Sequence, residues 1–561
     1  MKNLIRQIMV AIVWSTMLAS QSHAKEIFVS PNGDDANSGD STLRPLRSLS
    51  AAVSRALPGD TVNLMSGRYT DALVPTKPGT DALPITYRGA SGEPAVITGS
   101  ANGGAGSAIL LSAVSNIVID GIDVDGAAPA PKASVDSFVR ITGSTKVTVR
   151  RGVFRYANGW AGIDVNGSSY VTIEDNLIER VGQFNPADGH GTGDAILVRT
   201  NAPHHVLIQR NTVRKGGHDL LRVDGRNVVI QDNIFNNDFR DQFGSPYGYR
   251  SVSLNGQDNV FQRNRLMLTG VNFAEHWAPL QTAAGLRNIV RQNIYIDGYG
   301  VEAVSSEAGS WAVNAAKIRI YNNTYFGMGG PAWGIRWYDG GTTVGESAFV
   351  NNIVVDSRKS PKTSFYDTDC YFVLDGAPVE ATGKNFVGGN LFAPAAGKVP
   401  TITVSGGGGR MTLADAEKSY PNVFKLNRAG RPEFVSANPK VSADFDLQLA
   451  SAGVDSGIFL TRATGTGRSA KLPVGDPLYF TDGFGLVQGD LIQLEGQSDR
   501  ARVVGVDASA GLLLLSSPVD FSSGQGVALA YGGSAPDAGA RERDLSGKSA
   551  QPLPPDPVVV E

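Results

Sequence analysis

The chain has a single cysteine, Cys370, in 561 residues, which excludes a disulfide framework and any zinc site built on thiolates. Charge is also scarce, at 18% Asp, Glu, Lys and Arg against roughly a quarter in an average protein. A formal net charge of −3 with no basic run excludes the electrostatic footprint of a nucleic-acid binder or of a protein held to anionic lipid. The six histidines show no H-x-x-x-H spacing, so no histidine metal site is outlined. Beyond the first two dozen residues no apolar run is long enough to span a bilayer.

What is abundant is glycine, 67 residues, together with Asn-ended turns, which suits an all-β chain. The first residues are a separate object. Lys2 and Arg6 precede the apolar run Ile8–Ala19, and Ser22-His23-Ala24 offers small residues for a cut after Ala24. This reads as a secretory signal peptide over 1–24, so the mature chain is expected to be secreted or periplasmic in a bacterium. Lys25–Ser30 reads as a strand. Leu49, Ala52, Val53, Ala56 and Leu57 then recur at helical spacing behind a capping Ser48. A short helix here has a use, because a stacked sheet has an open end to cover.

One sentence of sequence then recurs. It ends YVTIEDN at Tyr170–Asn176, HVLIQRN at His205–Asn211 and NVVIQDN at Asn227–Asn233. Aligning it places its last position at Gly121, Gly152, Asn176, Asn211, Asn233, Asn264, Asn293, Asn323, Asn352 and Asn390. Repeats of this length mean a solenoid or a propeller, and the shorter steps are too short for a blade of about 40 residues. A right-handed parallel β-helix fits, with about three short strands per coil stacked at about 4.8 Å. Asn at one fixed corner forms a ladder and tolerates the left-handed backbone expected there. Past Asn390 the register fades, and Asn438–Gly457 reads as the closing coil. The β-helix is therefore expected over 25–460. Residues 461–533 carry alternating short strands and read as a small β-barrel or sandwich. Residues 534–561 form a terminal motif and a disordered tail.

These features resemble the secreted right-handed β-helix proteins of the pectate-lyase-like superfamily. The matching pieces are IFVSPNGDDANSG…RPLRSLSAAVSRALPGDTVNLMSGRY, the Asn-ended coils, DFDLQLASAGVDSG and APDAGARE at Ala535–Glu542. The resemblance covers about residues 25–457 and 534–542, and implies that the 461–532 module is inserted just before the terminal motif. It also implies carbohydrate as the usual substrate class, with lyases, glycosidases and epimerases all represented. One fold hosts several chemistries, so the reaction has to be argued from a site.

Side-chain alternation along the strands supplies one. With Ile163/Val165, Ile196/Val198, Leu221/Val223, Val252/Leu254 and Leu280/Thr282 inward, one outward column runs Asp164, Leu197, Arg222, Ser253, Gln281. The next runs Asn166, Arg199, Asp224, Asn255, Ala283. The preceding turns carry Trp160, Asp194, His218, Asp219, Tyr249, Arg250, His276 and Trp277. Such a face suits an oligosaccharide, with rings for sugar faces and amides and charges for hydroxyls and carboxylates.

β-Elimination from a uronate needs its carboxylate neutralised, a base for the C5 proton and an acid for the leaving oxygen. Lys215, His218, Asp219 and Arg222 are the catalytic candidates. Arg199, Asp224, Arg250, Asn255, Trp160, Trp277 and His276 are the substrate-binding ones. Asp164 and Asp194 are candidate oxygen ligands for calcium. Hydrolysis by two carboxylates is the rival, with Asp188, Asp194 and Asp219 available and DGHGTGD around His190. A uronate epimerase would use nearly the same groups, and a non-catalytic carbohydrate-binding or adhesive β-helix fewer of them. His204-His205 reads as a structural turn. The expected partner is a polysaccharide, with no nucleic acid and no membrane span, and the chain is taken as a monomer by default.

Overall fold

The structure is a computed structural model. It describes residues 24–101, 106–126, 135–182, 193–216, 219–236, 250–267, 280–281, 286–296, 301–305, 316–327, 333–337, 346–355, 370–374, 385–394, 397–404 and 409–543. The expected leader, apart from Ala24, and the expected tail from 544 lie outside the described residues. Among the described residues no helix is long and apolar enough to cross a membrane.

Three long sheets share the chain, visited in a fixed cycle. Ala161–Asn166 belongs to a first sheet of twelve strands, Ser169–Glu174 to a second of fourteen and Leu177–Val181 to a third of thirteen. The next turn of chain repeats the cycle directly beside it, with Ile163 opposite Ile196, Ile173 opposite Ile208 and Ile178 opposite Val213. All pairing within these sheets is parallel except at the last strand of the first sheet, Gly409–Thr412. This is a parallel β-helix. The alternation read from the sequence is what fills it, since Ile163, Val165, Ile196, Val198, Leu221, Val223, Val252 and Leu254 are all fully buried. Aromatic rings stack inside the later coils, Tyr295 on Tyr325 at 4.6 Å and Tyr325 on Phe349 at 5.8 Å.

The corner between the second and third sheets is the fixed point of every coil. Asn176 Nδ2 donates to Asn211 Oδ1 at 3.0 Å, and the same bond links Asn211 to Asn233, Asn233 to Asn264, and onward through Asn293, Asn323, Asn352 and Asn390. Two expectations change here. The left-handed residue is not the Asn but the one before it: Asp175, Arg210, Asp232, Arg263, Gln292, Asn322 and Asn351 have φ between 51° and 58°. The Asn is there for its amide, which bridges coils while its Nδ2 also reaches a backbone carbonyl, such as Ile208 O from Asn233 at 2.9 Å. The register also continues beyond Asn390, to Asn427 at 2.8 Å.

Both ends are covered. At the start, Leu49–Arg55 forms helix α1, with Ser48 Oγ accepting from Ala51 N at 3.1 Å and Leu49, Ala52 and Val53 buried. Leu57 lies beyond the helix end and is exposed. At the far end, helix α2 (Leu413–Ser419) supplies Glu417, whose Oε1 accepts from Asn427 N at 2.8 Å and terminates the ladder. The segment expected as a closing coil adds no strand to the three sheets. Phe434, Phe445 and Leu447 instead lie against the outer face of the third sheet, packed with Ile296, Ile353 and Val355. An outward column that turns apolar needs a cover, and this segment provides it.

Residues 461–529 form a separate six-stranded sheet. Thr464 N to Pro473 O and Gly475 N to Arg462 O, each 3.0 Å, join its first strand to its last in the sheet order and close a barrel. The barrel sits on the outer face of the second sheet, where Val260, Ile289, Tyr321, Ala348 and Val350 pack with barrel residues including Tyr479 and Phe480. Polar contacts fasten it: Arg319 Nε reaches Asp476 Oδ2 at 2.9 Å, and Tyr321 Oη donates to Tyr479 O at 2.5 Å. These contacts fall on the second sheet, a different face from the candidate site.

Candidate functional site on the first sheet

The first sheet is bordered by variable connections. Residues 182–193, 237–249, 268–279 and 356–369 join the third sheet to it, whereas second and third sheets are joined by pairs such as 175–176 and 210–211. Long insertions concentrate where a face is built for function. The outward column has the expected register, with Arg140 opposite Asp164, then Leu197, Arg222, Ser253 and Gln281 in successive coils.

The next column produces a cluster. Asp224 lies 3.1 Å from Arg199 Nε of the preceding coil and 3.3 Å from Arg222 Nε of its own strand. Asn255 of the following coil donates its Nδ2 to Asp224 Oδ1 at 3.1 Å. Two guanidiniums thus share one carboxylate, and all three charged side chains are half-buried rather than free in water. Asn166 accepts from Asn201 Nδ2 at 2.8 Å along the same edge. Asp164 stands 3.4 Å from Arg140 Nε. Burial pushes its carboxyl up, and Arg140 opposes this only in part.

The structure separates the remaining candidates. Asp194 and Asp219 share the strand parity of the inward residues and are buried rather than displayed on the face. Asp219 N donates to Asp194 Oδ1 at 3.1 Å, and Asp219 Oδ2 accepts from Ser253 Oγ at 2.7 Å. Asp194 lies opposite Ala161, whereas Asp164 lies opposite Leu197. The two are therefore three positions apart along neighbouring strands, about 10 Å, and a calcium ion on this pair would need oxygen ligands from elsewhere. Among the described residues no group of three or more His, Cys, Asp or Glu side chains is arranged to hold a metal ion.

Lys215 belongs to another cluster, at the corner where the third sheet leads into the first. Its neighbour there is Glu179, approached by Arg155 at 2.9 Å, Arg214 at 2.5 Å and Arg180 at 3.6 Å. Arg180 also lies over the Tyr156 ring, 4.9 Å from its centre. Burial and the charge of Arg180 push the Lys215 amine down, with Glu179 opposing. Burial pushes the Glu179 carboxyl up, yet Arg214 and Arg155 outweigh it and hold it below its ordinary value. The sequence did carry a signal for this group. Arg155, Glu179 and Arg214 each fall three residues after the refrain's last position, and Tyr156, Arg180 and Lys215 fall four after it. Trp160 is 78% exposed. His218, His276, Trp277, Asp188, His190 and Tyr249 lie outside the described residues. Of Arg250 only the strand backbone, opposite Asp219, is described.

The family comparison decides the hand of the coil. Residues 107–324 match the model of the right-handed β-helix region. This part of the chain is a right-handed β-helix. A Bacillus subtilis (strain 168) protein, YwoF, described as uncharacterized, is 25% identical over 344 residues, 58% of this chain and 68% of that protein. Among solved structures, the pectate lyase Pel9A is similar at TM-score 0.45 and 16% identity, covering 94% of this chain and 98% of that one. The complex of XylC with xylose is similar at TM-score 0.44 and 12% identity, covering 90% and 99%.

Proposed function

We propose that this protein is a secreted carbohydrate-active enzyme that cleaves an acidic polysaccharide by β-elimination on the outer face of the first sheet. The observation that carries the reading is the Arg199–Asp224–Arg222 cluster. One carboxylate between two guanidiniums leaves positive charge on a partly desolvated face, the environment in which a sugar carboxylate is held and its negative charge offset. In the reaction the base removes the C5 proton, and the C5–H pair forms the C4–C5 double bond. The C4–O pair leaves with the departing sugar oxygen, which takes a proton.

Arg222 and Arg199 neutralise the uronate, so that charge developing at C5 is stabilised as it forms. Asp164, whose carboxyl retains its proton to higher pH than an ordinary aspartate, supplies the leaving-group proton. His218 is the candidate base, because Lys215 sits with Glu179 in the separate corner cluster. Asp219 acts as a positioning residue, holding its strand to Asp194 and Ser253. Trp160 offers a ring to a sugar face.

Asp164 also favours a second reading. A carboxyl pushed up on the same face as Asp224 is the kind of pair that hydrolyses a glycosidic bond. The two readings differ in product. Purified protein, with and without calcium and with chelator, is incubated with alginate, pectate, chondroitin and neutral glycans while ultraviolet absorbance and reducing ends are followed together. Unsaturated ends support elimination, and reducing ends without unsaturation support hydrolysis. Binding with neither signal on any substrate would reject both.

A further inference from the structure

We propose that the seam joining the β-helix, the barrel and residues 534–543 is a pH-operated latch, closed under acid conditions and loosened as the medium turns alkaline. The seam is where both chain ends of the barrel are tied down. Asn351, a left-handed corner residue of the β-helix, donates from Nδ2 to Ile458 O and accepts from Ile458 N on Oδ1, both at 2.7 Å. Its carbonyl accepts from Gly539 N at 2.7 Å, and Asn322 Nδ2 donates to Asp537 O at 2.9 Å. In earlier coils the same corner positions carry ion pairs, Arg210 with Asp175 and Arg263 with Asp232. Here they carry amides, and the amides hold the strap.

Three carboxylates meet in this seam. Asp537 Oδ1 accepts from Asp455 N at 2.7 Å and its Oδ2 from Arg543 N at 2.8 Å. Glu542 Oε1 accepts from Gly532 N at 3.1 Å, where the chain leaves the barrel, and its Oε2 from Asp537 N at 3.0 Å. Asp455 Oδ1 accepts from Ala535 N at 3.1 Å. The packing leaves no slack, because a Cβ at Gly533 would stand 1.8 Å from Asp455 Oδ1. Glu542 also lines a cavity of about 20 Å³ between the corner amides Asn322 and Asn351 and barrel residues Leu460 and Ala528. That is room for about one water molecule.

The charges facing this group are unbalanced. The segment before the barrel contributes Asp455, the barrel contributes Tyr531, whose carbonyl accepts from Arg500 Nη2 at 2.7 Å, and the β-helix corner contributes amides. Of the strap's cations, Arg541 is committed to Asp446 at 2.6 Å. Arg543 is the one whose charge acts on Asp537, while its Nη1 donates to Leu447 O at 2.7 Å. Burial, and then the charge of Asp537, pushes Glu542 up to about 8; burial, opposed by the backbone donors and aided by Asp455, pushes Asp537 up to about 6. Both values are raised, so the closed seam binds protons more tightly than the open one. The carboxyls' contribution to closure is full below the ordinary carboxylate range and declines as the pH rises through their raised values.

The test is limited proteolysis of the full chain between pH 5 and 9, reading cleavage between residues 529 and 545, with an unstructured peptide as the control for protease activity. The corrected cleavage rate is expected to climb by up to about tenfold per pH unit across the window. Glu542→Gln should flatten that climb. Asp455→Asn removes a neighbouring negative charge that raises both carboxyls, so it should shrink the climb and end it at lower pH, which keeps the proposal testable if the first variant folds poorly. A corrected rate independent of pH in the native chain would overturn the latch, as would an unchanged climb in both variants.

Discussion

Arg291 of the second sheet and Asp490 of the barrel form a buried ion pair, with Arg291 Nη1 2.7 Å from Asp490 Oδ2 and both side chains under 10% exposed. Arg291 also ends an amide ladder. Its Nε donates to Gln262 Oε1, Gln262 donates to Gln231, Gln231 to Gln209, and Gln209 to Glu174, each at 2.8–2.9 Å. A donor-only group at one end and an acceptor-only group at the other set the direction of every amide between them. The barrel is thereby built into the hydrogen-bond order of the coils beneath it.

Arg291→Met should therefore destabilise the protein by about 3–5 kcal/mol, because it strands a buried carboxylate. Arg291→Met with Asp490→Leu should recover most of that loss. Chemical unfolding of the single and double variants checks this. Equal losses in both would mean that packing, not the charge pair, holds the barrel.

The corner ladder makes a separate claim. Asn264 accepts from Asn233 and donates to Asn293 and Ile230 O. Asn264→Ala leaves buried groups without partners and should cost about 1–3 kcal/mol. Replacing its left-handed neighbour Arg263 by Gly should be far milder, since Gly adopts positive φ freely. Thermal unfolding of the two variants distinguishes amide from backbone.

This contrast shows what was legible in the sequence. The Asn column from Asn176 onward followed from aligning the refrain, and the inward pairs up to Val252/Leu254 and the first-sheet register from period-2 alternation. Gly121, aligned with that column, instead takes the left-handed place one residue earlier, level with Arg151. Leu280/Thr282 lies outside the described side chains. That the left-handed strain sits one residue before the Asn was not legible, because Asp, Arg, Gln and Asn all occupy that position. The site was legible in part. Columns placed Arg222, Arg199, Asp224 and Asn255 correctly relative to one another, because each lies mid-strand or just past its end. Asp194 and Asp219 stand at strand starts and share inward parity, so burial claims them. Lys215 lies beyond the third sheet, where its neighbours come from other coils at a matching offset. The barrel's seat on the second sheet depends on contacts some 160 to 200 residues apart in sequence, such as Arg319 with Asp476, which no local pattern records.

Asp164 gives a pH-dependent expectation. Its carboxyl is raised by burial, so the folded chain binds that proton more tightly than the unfolded one. Its contribution is complete below pH ~4, the ordinary aspartate value, and is lost as the pH rises through the raised value. Asp164→Asn removes the titration, so the stability of the variant relative to the native protein should rise from pH 4 to pH 7. Unfolding midpoints at the two pH values test the sign. Turnover should fall at least about a hundredfold if Asp164 supplies a proton.

Arg222→Ala separates function from scaffold. Asp224 keeps Arg199 as its partner when Arg222 is removed, so no carboxylate is stranded and the stability change should be about 1 kcal/mol, while turnover on an acidic polysaccharide is abolished. A large loss of stability would reassign Arg222 to the fold.

The most direct measurement is the product released from an acidic polysaccharide by the native protein and by Arg222→Ala, with ultraviolet absorbance and reducing ends recorded on the same samples. Elimination predicts absorbance and reducing ends rising together in the native protein and neither in the variant. Reducing ends without absorbance, or native activity in the variant, would contradict the account.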